Sequence, residues 1–161
     1  MSEINVRFRE MNDEEYKCFV EDSILDYSKE LIKSGASTEE EGLKRAKSEF
    51  KKLLPEGKYT KDNFLYRIEN NEQKDIGILW YIKQSESRAF IADVLIFEEF
   101  QRKGYGRQTL LLLEKEAKQK GLSMIVLHVF KTNPIAFSLY SSLGYKVVHE
   151  DNSGSVMVKE F

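Results

Sequence analysis

Apolar positions in the first half of the chain alternate or recur at helical spacing. Further along, two strand-length runs are apolar almost without a break. Ile4, Val6 and Phe8 alternate with Asn5, Arg7 and Arg9, the period of a half-buried strand. Asn12 or Asp13 caps a helix that opens on Glu14 and Glu15, runs to Lys33 and stops at Gly35. Ser37-Thr38-Glu39-Glu40 has capping-box spacing and predicts a second helix that reaches Leu54 and ends before Pro55. Phe64 to Glu69 and Ile76 to Lys83 read as strands joined by the turn-rich Asn70-Asn71-Glu72-Gln73.

Only Asp93 interrupts the run from Ala89 to Phe97, and only His128 interrupts Met124 to Phe130. Such runs belong at the centre of a sheet covered on both faces. The segment between them, Gly106 to Lys120, places Leu110, Leu113 and Ala117 on one helical face and a Glu114–Lys118 pair outside, with Gly121 as its stop. Strand, crossover helix and strand make a parallel unit. Asn133-Pro134 then supplies a cap and a first-turn proline for a short helix to Leu143, broken at Gly144. Two final strands are expected at Tyr145 to His149 and Ser155 to Lys159. The reading is an α/β (α+β) chain with no repeat or linker, forming a single domain over residues 1–161.

Composition narrows the class. A chain of 161 residues suits one core. The longest leucine run, Leu110 to Leu113, is followed at once by Glu114, far short of a membrane span. Met1 to Glu10 is polar and alternating and lacks a signal-peptide apolar stretch. Cys18 is the only cysteine, and one cysteine with two histidines shows no metal-ligand spacing. A reduced, cytoplasmic protein with no metal and no membrane partner is expected. The net charge of −2 argues against general nucleic-acid binding. Charge is uneven, however: Asn12 to Lys33 carries seven acids against three lysines, whereas Gln101 to Arg107 carries three cations and no acid.

That basic stretch, Gln101-Arg102-Lys103-Gly104-Tyr105-Gly106-Arg107, lies at the head of a predicted helix, where unpaired N–H groups and the positive end of the helix dipole favour an anion. On these residues alone, a solvated chain reversal and a phosphate site both stay open. A P-loop requires Gly-Lys-Ser or Gly-Lys-Thr, and here Arg107-Gln108 follow Gly106. A dinucleotide fold requires a third glycine where Thr109 stands and a later acid where Ile125-Val126-Leu127 lie.

Gln101-Arg102-Lys103-Gly104-Tyr105-Gly106 resembles the Gln/Arg-x-x-Gly-x-Gly/Ala signature of the GNAT superfamily of acyl-CoA-dependent N-acetyltransferases. Leu127-x-Val129, Asn133, Ala136 and Leu139-Tyr140-x-x-x-Gly144-Tyr145 extend the resemblance, and the wording around Leu127-His128-Val129-Phe130 is most similar to a YycN-like bacterial group. Glu98 departs from it, standing where many relatives carry proline. The resemblance implies the GNAT fold: a mixed sheet of about six to seven strands splayed between the fourth and fifth, flanked by about four helices. It implies acetyl-CoA as cosubstrate, with the backbone of Gln101, Arg102, Lys103, Gly104, Tyr105 and Gly106 around its pyrophosphate. Arg107 adds charge, Leu95, Ile96 and Phe97 supply main-chain contacts to the pantetheine arm, and Asn133 is a further contact.

Acetyl transfer to an amine needs a neutral nucleophile, and the leaving thiolate benefits from a proton donor. By resemblance Tyr140 is that donor, beside the cofactor. His128, in a position where relatives carry a glutamate proposed as base, accepts a proton, and Asp93 on the neighbouring strand is its competitor. Tyr66, Trp80 and Tyr81 lie on strands available to line an acceptor site under the N-terminal helices. The implied activity is transfer of an acetyl group to a primary amine on a small molecule, peptide or protein N-terminus, by direct attack in a ternary complex. A non-catalytic acyl-CoA-binding regulatory module is the alternative, and an anion-binding interaction domain the third class. The resemblance leaves room for a homodimer.

Overall fold

The structure is a computed structural model that describes residues 4–33 and 35–161; the polar opening Met1 to Glu3 and Ser34 lie outside the described residues. The chain separates into two compact units, residues 11–63 and residues 4–10 with 64–161. The smaller holds α1 (Asp13–Lys33) and α2 (Glu39–Leu53). The α1 cap is reciprocal: Glu15 N–H donates to Asn12 Oδ1 at 2.8 Å, and Asn12 N–H donates to Glu15 Oε1 at 2.9 Å. α2 starts one residue later than the Ser37 spacing implies, because Thr38 Oγ1 accepts from Glu41 N–H at 3.3 Å. The two helices meet closely where Gly42 faces Ile32: a Cβ there would stand 2.9 Å from Ile32 Cγ1.

The larger unit is a seven-stranded sheet with β1 (Val6–Glu10), β2 (Asn63–Asn70), β3 (Asp75–Lys83), β4 (Arg88–Ile96), β5 (Met124–Phe130), β6 (Lys146–Glu150) and β7 (Gly154–Glu160). Their spatial order is β1-β2-β3-β4-β5-β7-β6. β4 and β5 are a parallel pair, joined by α3 (Tyr105–Gln119), and the β1–β2, β3–β4, β5–β7 and β6–β7 pairs are antiparallel. α4 (Pro134–Ser142) follows β5. Leu79, Tyr81, Leu113, Ile125, Leu127 and Met157 are fully buried, and Leu110, Ala117, Tyr140 and Leu143 join them in one cluster. α3 and α4 therefore pack against one face of the sheet. β6 is the exposed edge; its register skips Val148, a bulge that blunts the edge against further pairing.

Two features open the centre of the sheet. First, β4 and β5 pair only from Arg88↔Met124 to Ile91↔Leu127, although both strands continue. Second, the β3–β4 register passes from Tyr81↔Ile91 to Trp80↔Asp93, so Ala92 is an extra residue that bends β4 as it leaves β5. This is the splay that the resemblance implied. Each diverging arm is held by a glycine on its outer neighbour. A Cβ on Gly77 would stand 2.2 Å from Leu95 O, and one on Gly154 would stand 2.1 Å from Val129 O and 2.9 Å from Phe130 Cα. Neither close approach was readable in the sequence. Gly154→Ala must separate β7 from the β5 arm. Thermal unfolding is expected to show a loss of about 1–3 kcal/mol, a fall in Tm of roughly 2–12 °C, whereas a native Tm would refute the close approach.

Candidate active site

The turn between β4 and α3 is built from two left-handed residues, Arg102 (φ 65°) and Gly104 (φ 84°). At Gly104 a Cβ would meet nothing within 4 Å, so its requirement is the backbone angle, not space. Gly106 has the opposite reason: a Cβ there would lie 3.3 Å from Leu139 Cδ2, so the start of α3 packs directly on α4. Gln101 N–H donates to Glu98 O at 3.2 Å, and Gln108 N–H donates to Gly104 O at 3.2 Å. Between them, among the described residues, the N–H groups of Arg102 to Arg107 have no hydrogen-bond partner. Six consecutive free donors at a helix start make an anion-binding concavity. Arg102 and Lys103 are exposed beside it. Arg107 leans to α4, with Nη1 3.4 Å from Ser142 Oγ.

The splay adds a second row of polar groups. Phe97 N–H donates to Ile76 O at 2.9 Å, and antiparallel pairs alternate between bonded and non-bonded. Leu95 and Asp93 therefore also bond to β3, while the main-chain groups of Val94 and Ile96 point towards the opening. This corrects the expectation for Leu95 and Phe97: their N–H and C=O groups belong to the β3–β4 ladder. Val94, which sequence reasoning did not single out, presents its main-chain groups to the opening instead; alternation from the bonded Phe97 would have revealed it only with the register known. Gln101 Nε2 donates to Ile96 O at 2.8 Å and ties the turn to the end of β4.

Tyr140 is buried in α4, its ring 5.7 Å from that of Tyr145. Burial, and then the charge of Asp93, push its phenol above the ordinary tyrosine value. Tyr140 therefore feels the charge of Asp93, and the phenol keeps its proton throughout the neutral range. Asp93 stands opposite Trp80, and His128 follows the buried Leu127, so both occupy the sheet face away from α3. The His128 ring meets Phe130 edge-on at 4.9 Å between centroids, and its Nε2 lies 3.5 Å from Ser153 Oγ. Asn133 Oδ1 caps α4 by accepting from Ala136 N–H at 3.2 Å.

Two of the aromatic candidates are placed elsewhere. The hydroxyl groups of Tyr66 and Tyr81 both donate to Glu116 on α3, the former at 3.2 Å, and Lys120 Nζ donates to Tyr81 Oη at 2.8 Å. Burial first, then Glu116, raises both phenols. These tyrosines anchor α3 on the sheet, and only the buried Trp80 faces the other way. Strand parity, which assigns the face, points both of them at α3. No group of three or more His, Cys, Asp or Glu side chains able to hold a metal occurs among the described residues. No helix among them is long and apolar enough to cross a membrane.

A sheet parted at its centre, with free N–H groups curled at the end of one arm, is an arrangement for a ligand that is anionic at one end and extended at the other. The chain belongs to the acetyltransferase (GNAT) family, whose pattern it matches over residues 11–145. It is 32% identical over 139 residues to the uncharacterized N-acetyltransferase YycN of Bacillus subtilis, covering 84% of this chain and 89% of that one. The crystal structure of YycN superposes with a TM-score of 0.82, at 30% identity over 91% of this chain and 95% of that one. A second Bacillus subtilis protein, the uncharacterized N-acetyltransferase YdgE, is 28% identical over 143 residues, 87% of this chain and 91% of its own length. The PaiA N-acetyltransferase of Thermoplasma acidophilum, solved with coenzyme A, shares the fold at a TM-score of 0.69 and 24% identity, with both chains covered in full.

Proposed function

We propose that this bacterial, cytoplasmic enzyme moves the acetyl group of acetyl-CoA to a primary amine by direct attack in a ternary complex, with both compact units acting as one domain. The observation that carries the reading is the run of six unpartnered N–H groups from Arg102 to Arg107 beside the parted strands. A pyrophosphate fits those donors, since Gly104 puts no side chain in the open space there and Arg102 and Lys103 add charge. Val94 and Ile96 offer main-chain groups to an extended amide-bearing arm, and the Asn133 amide NH₂ remains for a further contact. Coenzyme A bound to PaiA supports the same choice of ligand.

Acetyl-CoA supplies the activated thioester. The amine nitrogen forms the new C–N bond as the C–S bond breaks. His128 takes the proton that the amine loses, and Tyr140 gives its phenolic proton to the departing sulfur. Asp93 keeps that proton on Tyr140 until it is needed, because its negative charge opposes a phenolate. The acidic surplus of Asn12 to Lys33 favours a cationic acceptor such as a polyamine or a basic peptide.

Binding is tested by melting. At about 100 times its Kd, acetyl-CoA stabilises the folded state by roughly 2.7 kcal/mol, raising Tm by about 5–10 °C. Gly104→Val is expected to lose most of that shift, because φ 84° is strained for a branched side chain. A native protein indifferent to both acetyl-CoA and coenzyme A sinks the proposal. Thiol release against a panel of amines, with the product weighed by mass spectrometry, separates a transferase from a module that only binds.

A further inference from the structure

The β6–β7 connection carries a chain of side chains that ends on His128. Asp151 Oδ1 accepts from Ser153 Oγ at 2.6 Å, from Ser153 N–H at 2.8 Å and from Gly154 N–H at 3.2 Å. Those donors, the Ser153 hydroxyl foremost, hold the Asp151 carboxyl down to about 2, so it is a carboxylate throughout the neutral range. Ser153 Oγ in turn stands 3.5 Å from His128 Nε2. A serine hydroxyl has one proton and two acceptor lone pairs. With the proton committed to Asp151, Oγ turns only lone pairs to the imidazole. Nε2 must then carry the ring hydrogen, and Nδ1 keeps its lone pair.

We infer that Ser153 and Asp151 are positioning residues for His128, fixing its ring with the hydrogen on Nε2 and leaving Nδ1 to take the proton of the attacking amine. The inference rests on the reading of His128 as base. The proton balance is simple. One N–H bond of the amine breaks as an Nδ1–H bond forms, the ring becomes a cation with hydrogen on both nitrogens, and Ser153 and Asp151 keep their protonation. The Asp151 carboxylate faces that new charge through Ser153. His149 engages the opposite oxygen, with Nε2 3.9 Å from Asp151 Oδ2, so Oδ1 stays available to Ser153. Neither Asp151 nor Ser153 is buried, so neither is needed for the core.

The test begins with ¹⁵N-labelled histidine. The chain has two histidines, and a His149→Asn variant assigns the signals. At about two pH units above the ordinary imidazole value, two-bond ¹H–¹⁵N spectra of the native protein are expected to show a single tautomer of His128, with hydrogen on Nε2. Ser153→Ala should populate both tautomers. A hydrogen on Nδ1 in the native protein, or a spectrum that Ser153→Ala leaves unchanged, overturns the inference. The second arm is kinetic and uses spermidine and a lysine-containing peptide with a free N-terminus as acceptors. Ser153→Ala is expected to lower kcat about tenfold or more with KM for acetyl-CoA unchanged, Ser153→Thr to restore it, and Asp151→Asn to resemble Ser153→Ala. Adding Ser153→Ala to a His128→Gln enzyme should change nothing further. An equal additional loss there overturns the positioning role and leaves His128 as base, whereas a native rate for His128→Gln itself overturns the base reading and the inference with it.

Discussion

Replacing Tyr140 with phenylalanine lowers kcat by about 10²–10⁴-fold and leaves the affinity for acetyl-CoA nearly unchanged. The substitution deletes one hydroxyl from a buried ring that stays packed beside Tyr145, so little binding surface is lost. What disappears is the proton that neutralises the departing sulfur, an interaction made only as the C–S bond breaks. kcat and kcat/KM should therefore fall together. Steady-state thiol release gives the first quantity, and calorimetric titration with acetyl-CoA gives the second. A Tyr140→Phe enzyme that turns over at the native rate would hand protonation of the thiolate to water. The alkaline side of the native profile carries a second check. Burial and Asp93 raise the Tyr140 phenol above its ordinary value, so the protonated, active form persists as pH climbs and is lost only above the ordinary tyrosine range. Asp93→Asn removes the opposing charge and shifts that loss to lower pH.

His128→Gln produces the other large effect, and its signature is the dependence on pH. Glutamine keeps a polar group of similar reach but accepts no proton near neutrality. An aliphatic amine with a pKa of about 10.4, or an α-amine of about 8, is largely protonated at pH 7, and its neutral fraction rises about tenfold for each pH unit below that pKa. The variant should be slowest relative to the native enzyme near pH 7, by about 10²-fold, and should recover as the amine deprotonates unaided. Initial rates from pH 6.5 to 9.5 at saturating acetyl-CoA read this out. A flat ratio across the range would make His128 structural. The same recovery seen instead in Asp93→Asn would move the base to Asp93.

Much of the candidate site, which remains a proposal, could be named in order along the chain. Gln101 to Arg107 stood out because two glycines among three cations at a helix start suit either a chain reversal or an anion, and the structure places six free N–H groups there. Asp93 and His128 were conspicuous as the only polar residues in two apolar strands, and both lie where those strands part. Asn133 was given two roles, and its cap on Ala136 is the one visible in the fold. The misplacements have a common source. Tyr66 and Tyr81 sit on the expected strands, yet which face each takes depends on strand parity and on Glu116 of a distant helix. Leu95 and Phe97 were assigned by position along β4, whereas the direction of their main-chain groups is set by pairing with β3.

What the sequence by itself determined is local. Helix limits followed, to within a residue, from Asn12, the Ser37-Thr38 pair, Asn133 and the glycines after α1, α3 and α4, because a cap or a left-handed residue acts over a few positions. The central place of β4 and β5 followed from their unbroken apolar runs, although only one face of each strand is fully buried. The parallel pairing followed from the helix between them. Only the tertiary structure decided that β7 enters between β5 and β6, that Ala92 bulges so β4 swings away, and that Gly77 and Gly154 let the outer strands hold the parted arms. Only it brought Ser153 and Asp151 to His128 across 25 residues of chain. Each of these depends on atoms from separate segments meeting within a few ångströms, and a one-residue change of register would undo all of them.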